Sequence, residues 1–232
     1  MAQLYAIFPT SSGSGGSSGG GGSTTASDTA GTYVTPSLAT SHTITPSQFS
    51  TAPTAANKML FVVAATGPAE ATSVTYTHPG SLIREAPGSG YNPRVRVVLA
   101  DYAASWAFSA SVPIRVAGVA LTNTVGVAAS SPVYMFTPND PGPIAHDANA
   151  VGLAITVINF TGAAVTAASA GHTTIVNSPL DARQIHIAKT TLSAVGTYNP
   201  AAATAGPGSE ESTTISVVVQ PTAVTPGGSV PP

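Results

Sequence analysis

Alternation between apolar and polar residues with a period of two limits this chain to one class of fold. RVRVVLADY (94–102) sets Val95, Val97 and Leu99 on one face and Arg94 and Arg96 on the other. WAFSASVPI (106–114) does the same with Trp106, Phe108, Ala110 and Val112. Similar stretches are MLFVVAAT (59–66), ATSVTYTH (71–78), IRVAGVALT (114–122), VGLAITVINF (151–160), AAVTAAS (163–169), RQIHIAKTTL (183–192) and TTISVVVQP (213–221). Successive side chains of a strand point to opposite sides, so this pattern predicts strands separated by Gly, Pro and Asn turns. No sustained 3.6-residue stripe predicts a helix, and the alanine runs sit beside Pro and Gly. The predicted fold class is all-β.

The two halves answer each other strand for strand. LFVVAAT, ATSVTYTHPGSLI and RVRVVLADY correspond to GLAITVI, AAVTAASAGHTTI and RQIHIAKTT, and each set is followed by a further strand, near 106–121 and 213–221. Two such sets packed face to face predict a jelly-roll-like β-sandwich spanning 57–221. Ahead of it, residues 1–10 form an apolar leader, MAQLYAIFPT, and residues 11–56 a Gly/Ser/Thr/Pro-rich linker that opens SSGSGGSSGGGGS. Residues 222–232 form a Pro-rich extended tail. The leader has neither the basic start nor the apolar length of a secretion signal. No run approaches the ~18 apolar residues of a membrane span. Its Leu4, Tyr5, Ile7 and Phe8 suit an extended arm that docks on a neighbouring subunit, where burial of each side chain is worth about 1.5–3 kcal/mol.

Charge is scarce: 7% of residues are Asp, Glu, Lys or Arg, against an average near 25%, and the net charge is −2. A chain so poor in basic residues offers no phosphate-binding patch, which argues against nucleic acid. A surface so poor in charge fits a multicopy assembly, such as a homo-oligomer. There is no cysteine, so disulfides and thiol chemistry are excluded.

The series NKMLFVVAAT, ATSVTYTHPGSLIREAPGS, RVRVVLADYAASWAFSASV and IRVAGVALTNT resembles a β-sandwich domain common in minor tail and other virion proteins of phages infecting actinobacteria. That pattern reads as an apolar strand, an S-V-T-Y-G-G hairpin, a strand ending in a Tyr- or Pro-rich turn, and a G-A-V-A-G strand. Here Thr77-His78-Pro79-Gly80 replaces the glycine pair. The resemblance covers roughly residues 57–220 and its motifs are structural. It implies a virion context, in the tail ahead of the head, with other virion proteins as partners and no catalytic residue to carry over.

Chemistry-bearing residues are scattered. Glu210 and Glu211 are adjacent and read as a solvated pair in the loop GPGSEEST. His146-Asp147 reads as a polar turn, and no nucleophile, metal or hydrolase motif accompanies it. His78 and His172 fall at equivalent places of the two halves, which reads as repeated hairpin geometry. Asn159-Phe160-Thr161 fits a glycosylation triplet of the kind that arises by chance in a Thr-rich chain. Trp106 reads as core. Tyr91, in the turn GSGYNPR, and His186, between Ile185 and Ile187, are the surface-contact candidates, with a host-surface glycan as one ligand class. The reading is therefore a non-enzymatic structural protein of a phage particle, without cofactor or metal, placed as a minor tail protein with a role in host adsorption. The alternatives are a head decoration protein lacing capsid subunits and a secreted carbohydrate-binding module. A hydrolase is disfavoured by the lack of an acid–base pair.

Overall fold

The structure, a computed structural model, describes residues 31–65, 74–87, 93–130, 132–135, 140–159, 165–178, 183–205 and 210–221. They form an all-β sandwich whose only helical turn is a 3₁₀ segment at Pro46–Gln48. The first half contributes β1 (Thr32–Val34), β2 (Ala39–Ile44), β3 (Lys58–Ala65), β4 (Tyr76–Thr77), β5 (Ser81–Ala86), β6 (Arg94–Asp101) and β7 (Trp106–Leu121). The second contributes β8 (Thr124–Ala129), β9 (Val133–Met135), β10 (Ile144–His146), β11 (Ala150–Asn159), β12 (Val165–Ala167), β13 (Thr173–Asn177), β14 (Arg183–Leu192), β15 (Gly196–Tyr198), β16 (Thr204–Ala205) and β17 (Glu210–Pro221).

Each half builds its own antiparallel sheet, and the two sheets share a strand order. The first runs β1-β7-β3-β6-β5 and the second β8-β17-β11-β14-β13. Position by position, β1 matches β8, β3 matches β11, β5 matches β13, β6 matches β14 and β7 matches β17. The correspondence read from the sequence is thus a correspondence of topology. The sheets pack through Leu60, Val62, Val97, Val119 and Leu121 from one side and Leu153, Ile155, Ile187, Ile215 and Val217 from the other, all fully buried. Thr213 Oγ1 donates across the interface to the Pro93 carbonyl at 2.7 Å.

The outer face of the first sheet is apolar too, because β3 carries Met59, Phe61 and Val63 there and β6 carries Val98 and Ala100. Strand β7 covers it by folding back on itself. Phe61 pairs in register with Gly118, yet its ring lies 4.9 Å from that of Phe108 on the same strand as Gly118. Ten residues of straight strand would separate positions 108 and 118 by ~33 Å, so β7 bends between them. The N-terminal part of β7 pairs with β2 and β4, its C-terminal part with β1 and β3. The register of β2 against β7 jumps from Ser41↔Ser109 to Ala39↔Ile114 at the bend. Trp106 fills the fold, 5.5 Å from Phe61 and 5.9 Å from Phe49 between ring centres, and its Nε1 donates to the Asp101 carbonyl at 2.9 Å. The core reading of Trp106 holds. Gly118 makes room for these rings: a Cβ there would stand 2.8 Å from Phe49 Cζ and 3.0 Å from Phe61 Cε1.

Three expectations need correction. Residues 32–56 do not belong to a linker: β1 and β2 are paired strands, and Ile44 and Phe49 are buried in the outer aromatic layer. Their runs are short and polar on one side, because only one face of β2 is covered, and the prolines at 36 and 46 lie beside strand ends. Arg94 is buried, because the outer face of β6 is covered by its own layer; Arg96 does sit on that face, paired with Glu85 at 2.7 Å and stacked over Tyr76 at 4.0 Å. Glu210 and Glu211 open strand β17 rather than occupy a loop, since Glu210 pairs in register with Asn159.

Two outcomes are expected. A chain starting at Asn57 should lose its cooperative melting transition, whereas one starting at Gly31 should keep it, as followed by circular dichroism. Gly118→Val should cost about 1–3 kcal/mol in urea unfolding, because the added side chain would overlap the rings of Phe49 and Phe61.

Candidate functional site

The residues singled out in the sequence do not converge. Leu4, Tyr5, Ile7 and Phe8 lie outside the described residues, as do Tyr91, residues 11–30 and the 222–232 tail. Phe160 and Thr161 of the glycosylation triplet also lie outside them. Among the described residues no group of three or more His, Cys, Asp or Glu side chains stands together in a way that could hold a metal ion. Among the described residues no helix is long and apolar enough to cross a membrane.

His186 is the clearest departure. Alternation along β14 was expected to turn it outward to solvent, but it is only 2% exposed. It does point away from the sandwich core, and that outer face is itself covered. Two small two-stranded sheets lie on it, β10 with β15 and β12 with β16. Tyr198 of β15 packs with Ala150 and Val218, and its ring lies where a Cβ on Gly152 would be, at 2.6 Å. Val165 of β12 and Ala203 pack on Ile158. His172 Nδ1 donates to the Ala170 carbonyl at 2.9 Å, which leaves Nε2 to accept from the Tyr198 hydroxyl at 2.7 Å. Burial holds the Tyr198 phenol well above its usual range, so it remains the donor.

Between these two covers the outer face is polar. Thr156 of β11 lies in register with His186 of β14 on one side and Thr214 of β17 on the other. Ser216 is in the next row, opposite Ala154, which faces Ala188. All four polar residues are at most 2% exposed. His186 Nε2 meets Thr174 Oγ1 at 3.1 Å. Burial lowers the His186 pKa to about 4, so the ring is neutral at pH 7.

A second feature is the edge of the second sheet. Strand β8 pairs with β17 on one side, and among the described residues no strand pairs with the other. Ser130 N donates to the Ser216 carbonyl at 2.9 Å, which fixes the bonding parity: Ala128 and Gly126 face β17, while Val127 and Ala129 turn their backbone groups outward. The Ala129 carbonyl accepts from Arg84 Nη2 at 2.8 Å. Toward Val125 the edge is open: Val125 is 69% exposed and lies opposite a register shift, and Gly126 has no atom within 4 Å of a would-be Cβ. TVGVAA contains no Pro and no charge, the devices that usually protect an edge. Sequence reading missed this strand because it sits between two longer apolar runs and reads as a connection.

The chain matches no family model, no curated protein and no solved structure.

The His186 environment has a consequence for stability. The unfolded chain takes up the proton near pH 6.5 and the folded chain only near 4, so this contribution is complete above pH 6.5 and is lost as pH falls from 6.5 toward 4. The loss is at most about 3 kcal/mol. Urea unfolding at pH 7, 5.5 and 4.5 should show His186→Gln losing less stability on acidification than the parent chain.

Proposed function

We propose that this chain is a non-enzymatic structural subunit of a phage particle, most simply a minor tail protein, that joins its neighbours by strand addition. The observation that supports the reading is the edge of β8 open toward Val125, in a chain whose own N-terminal leader is an apolar, charge-free peptide. Strand addition takes affinity from main-chain hydrogen bonds and specificity from alternate side chains. Leu4, Ala6 and Phe8 would fall on one side of such a strand and Tyr5 and Ile7 on the other. Residues 9–30, extended, reach ~75 Å, far enough to cross to another subunit.

The covering of both sheets supports the same reading. With each outer face already roofed by elements of the chain itself, edges and loops are what remains for contact with others. The scarcity of charge suits a particle in which those contacts are repeated many times. The virion setting comes from the resemblance of residues 57–220 to phage tail domains; a host glycan contact through Tyr91 rests separately on its place in the turn GSGYNPR.

The experiment is particle incorporation. A chain lacking residues 1–10, and one carrying Ile7→Asp with Phe8→Ser, should melt like the parent but fall in copy number per purified particle by orders of magnitude, since each ~1.4 kcal/mol of lost docking is tenfold. Val125→Lys, which places a charge on the open edge, should do the same from the acceptor side. Labelled protein imaged on particles should decorate the tail; decoration of the head would favour the capsid-lacing alternative, and unchanged copy number in all three variants would overturn the reading.

A further inference from the structure

The buried hydroxyl and imidazole atoms without a hydrogen-bond partner among the described residues are Ser169 Oγ, His186 Nδ1, Thr214 Oγ1 and Ser216 Oγ. All belong to the second half. His186, Thr214 and Ser216 share the outer face of the second sheet, in the rows of Thr156 and Ala154. Ser169 lies in the turn that leads from the cover strand β12 to the sheet strand β13. Buried polar groups in native proteins are almost always satisfied, so several together mark a place where something polar is held.

The place has a floor and a roof. Tyr198 rests on Gly152 and Ala203 on Ile158, so the segment between them travels along β11 from one row to the other. Six residues of β11 span ~20 Å and five residues of fully extended chain only ~17 Å, so the segment between the two contacts is extended. Residues 199–202 therefore pass over the rows of Ala154 and Thr156, with Pro200 buried and Ala202 N tied to Asp140 Oδ1 at 2.6 Å. The floor beneath is built of small side chains: Ala154, Ala188, Thr156, Thr214 and Ser216. At the two ends, where the covers touch, the contact is apolar.

We propose that this seam is a water-binding site, in which a short file of ordered waters joins His186 Nδ1, Thr214 Oγ1 and Ser216 Oγ beneath the 199–202 strap. The occupant must be small, because the three atoms are buried, and must both donate and accept, because hydroxyls and a neutral imidazole do both. It must be uncharged: no ionisable residue other than His186 lies on this face of β11, β14 or β17 between the covers, and a buried ion without a counter-charge is costly. One water is not enough. His186 and Thr214 flank Thr156 on either side, so their backbones are two strand spacings, ~10 Å, apart. Each water in such a site needs two to four polar partners, which the three atoms and the neighbouring waters of the file can supply.

The test uses the full chain. Deuterium or oxygen-17 relaxation dispersion counts long-lived internal waters, and urea unfolding gives the folding constant. The parent chain should show long-lived waters. Thr214→Val and Ser216→Ala should each remove part of that signal and lower the folding constant roughly fivefold, because a water-bridged hydroxyl is lost. Thr214→Ser, which keeps the hydroxyl, should retain the signal. A parent chain with no long-lived water would overturn the proposal. So would Thr214→Val and Ser216→Ala variants as stable as the parent or more so, since removing a dry, unpaired hydroxyl costs nothing.

Discussion

Strand β3 is apolar on both faces, and much of the architecture follows from that. Leu60, Val62 and Ala64 face the second sheet while Met59, Phe61 and Val63 face the other way, and all six are buried. A two-layer sandwich buries one face of each sheet. A central strand of this kind needs a third layer, and the chain has to supply it. It does so by running β7 past the end of the sheet and folding it back, with β2 and β4 alongside. Fully burying a side chain such as Phe61 or Met59 is worth about 1.5–3 kcal/mol, which is why short, polar segments such as β2 are held in place by what they cover.

The second half meets the same demand with different chemistry. Strand β11 also has two buried faces, but its outer one changes character along its length. It is apolar at Ala150 and Ile158, where the small sheets land, and polar at Thr156 between them. The first cover is an aromatic stack centred on Phe61; the second is two apolar contacts separated by hydroxyls and an imidazole. In both halves an aromatic ring of the cover occupies the space over a sheet glycine, Phe49 over Gly118 and Tyr198 over Gly152. The two glycines stand on non-equivalent strands, so the solution is the same while the positions differ.

The period-two runs made the main strands readable, and the pairing of the two halves was readable because their apolar runs recur in one order. The covers were not. Thr32–Val34 and Ala39–Ile44 are too short and too polar to stand out among Thr, Ser and Pro, and what makes them strands is a bent partner eighty residues away. The bend itself was hidden, because 106–114 and 114–122 each alternate well and nothing local says that one strand passes from one layer to another. His186 illustrates the limit for the site. Alternation gave its face correctly as the one opposite Ile185 and Ile187. Solvent exposure does not follow from alternation when the far face has a roof, and that roof comes from elements of two or three residues.

The separation of the halves into two sheets bears on how the chain is made. Every strand of the first sheet, and its aromatic cover, lies within residues 32–121. Synthesis from the N-terminus therefore delivers a sheet that is complete in its hydrogen bonding and closed on one side, but bare on the side carrying Leu60, Val62, Val97 and Leu121. At 5–20 residues per second the remaining chain takes roughly 5–20 s to follow. During that interval the nascent protein carries an apolar face that the second sheet, of the same strand order, covers. Closing the core therefore waits on β17, whose Ile215, Val217 and Val219 complete it.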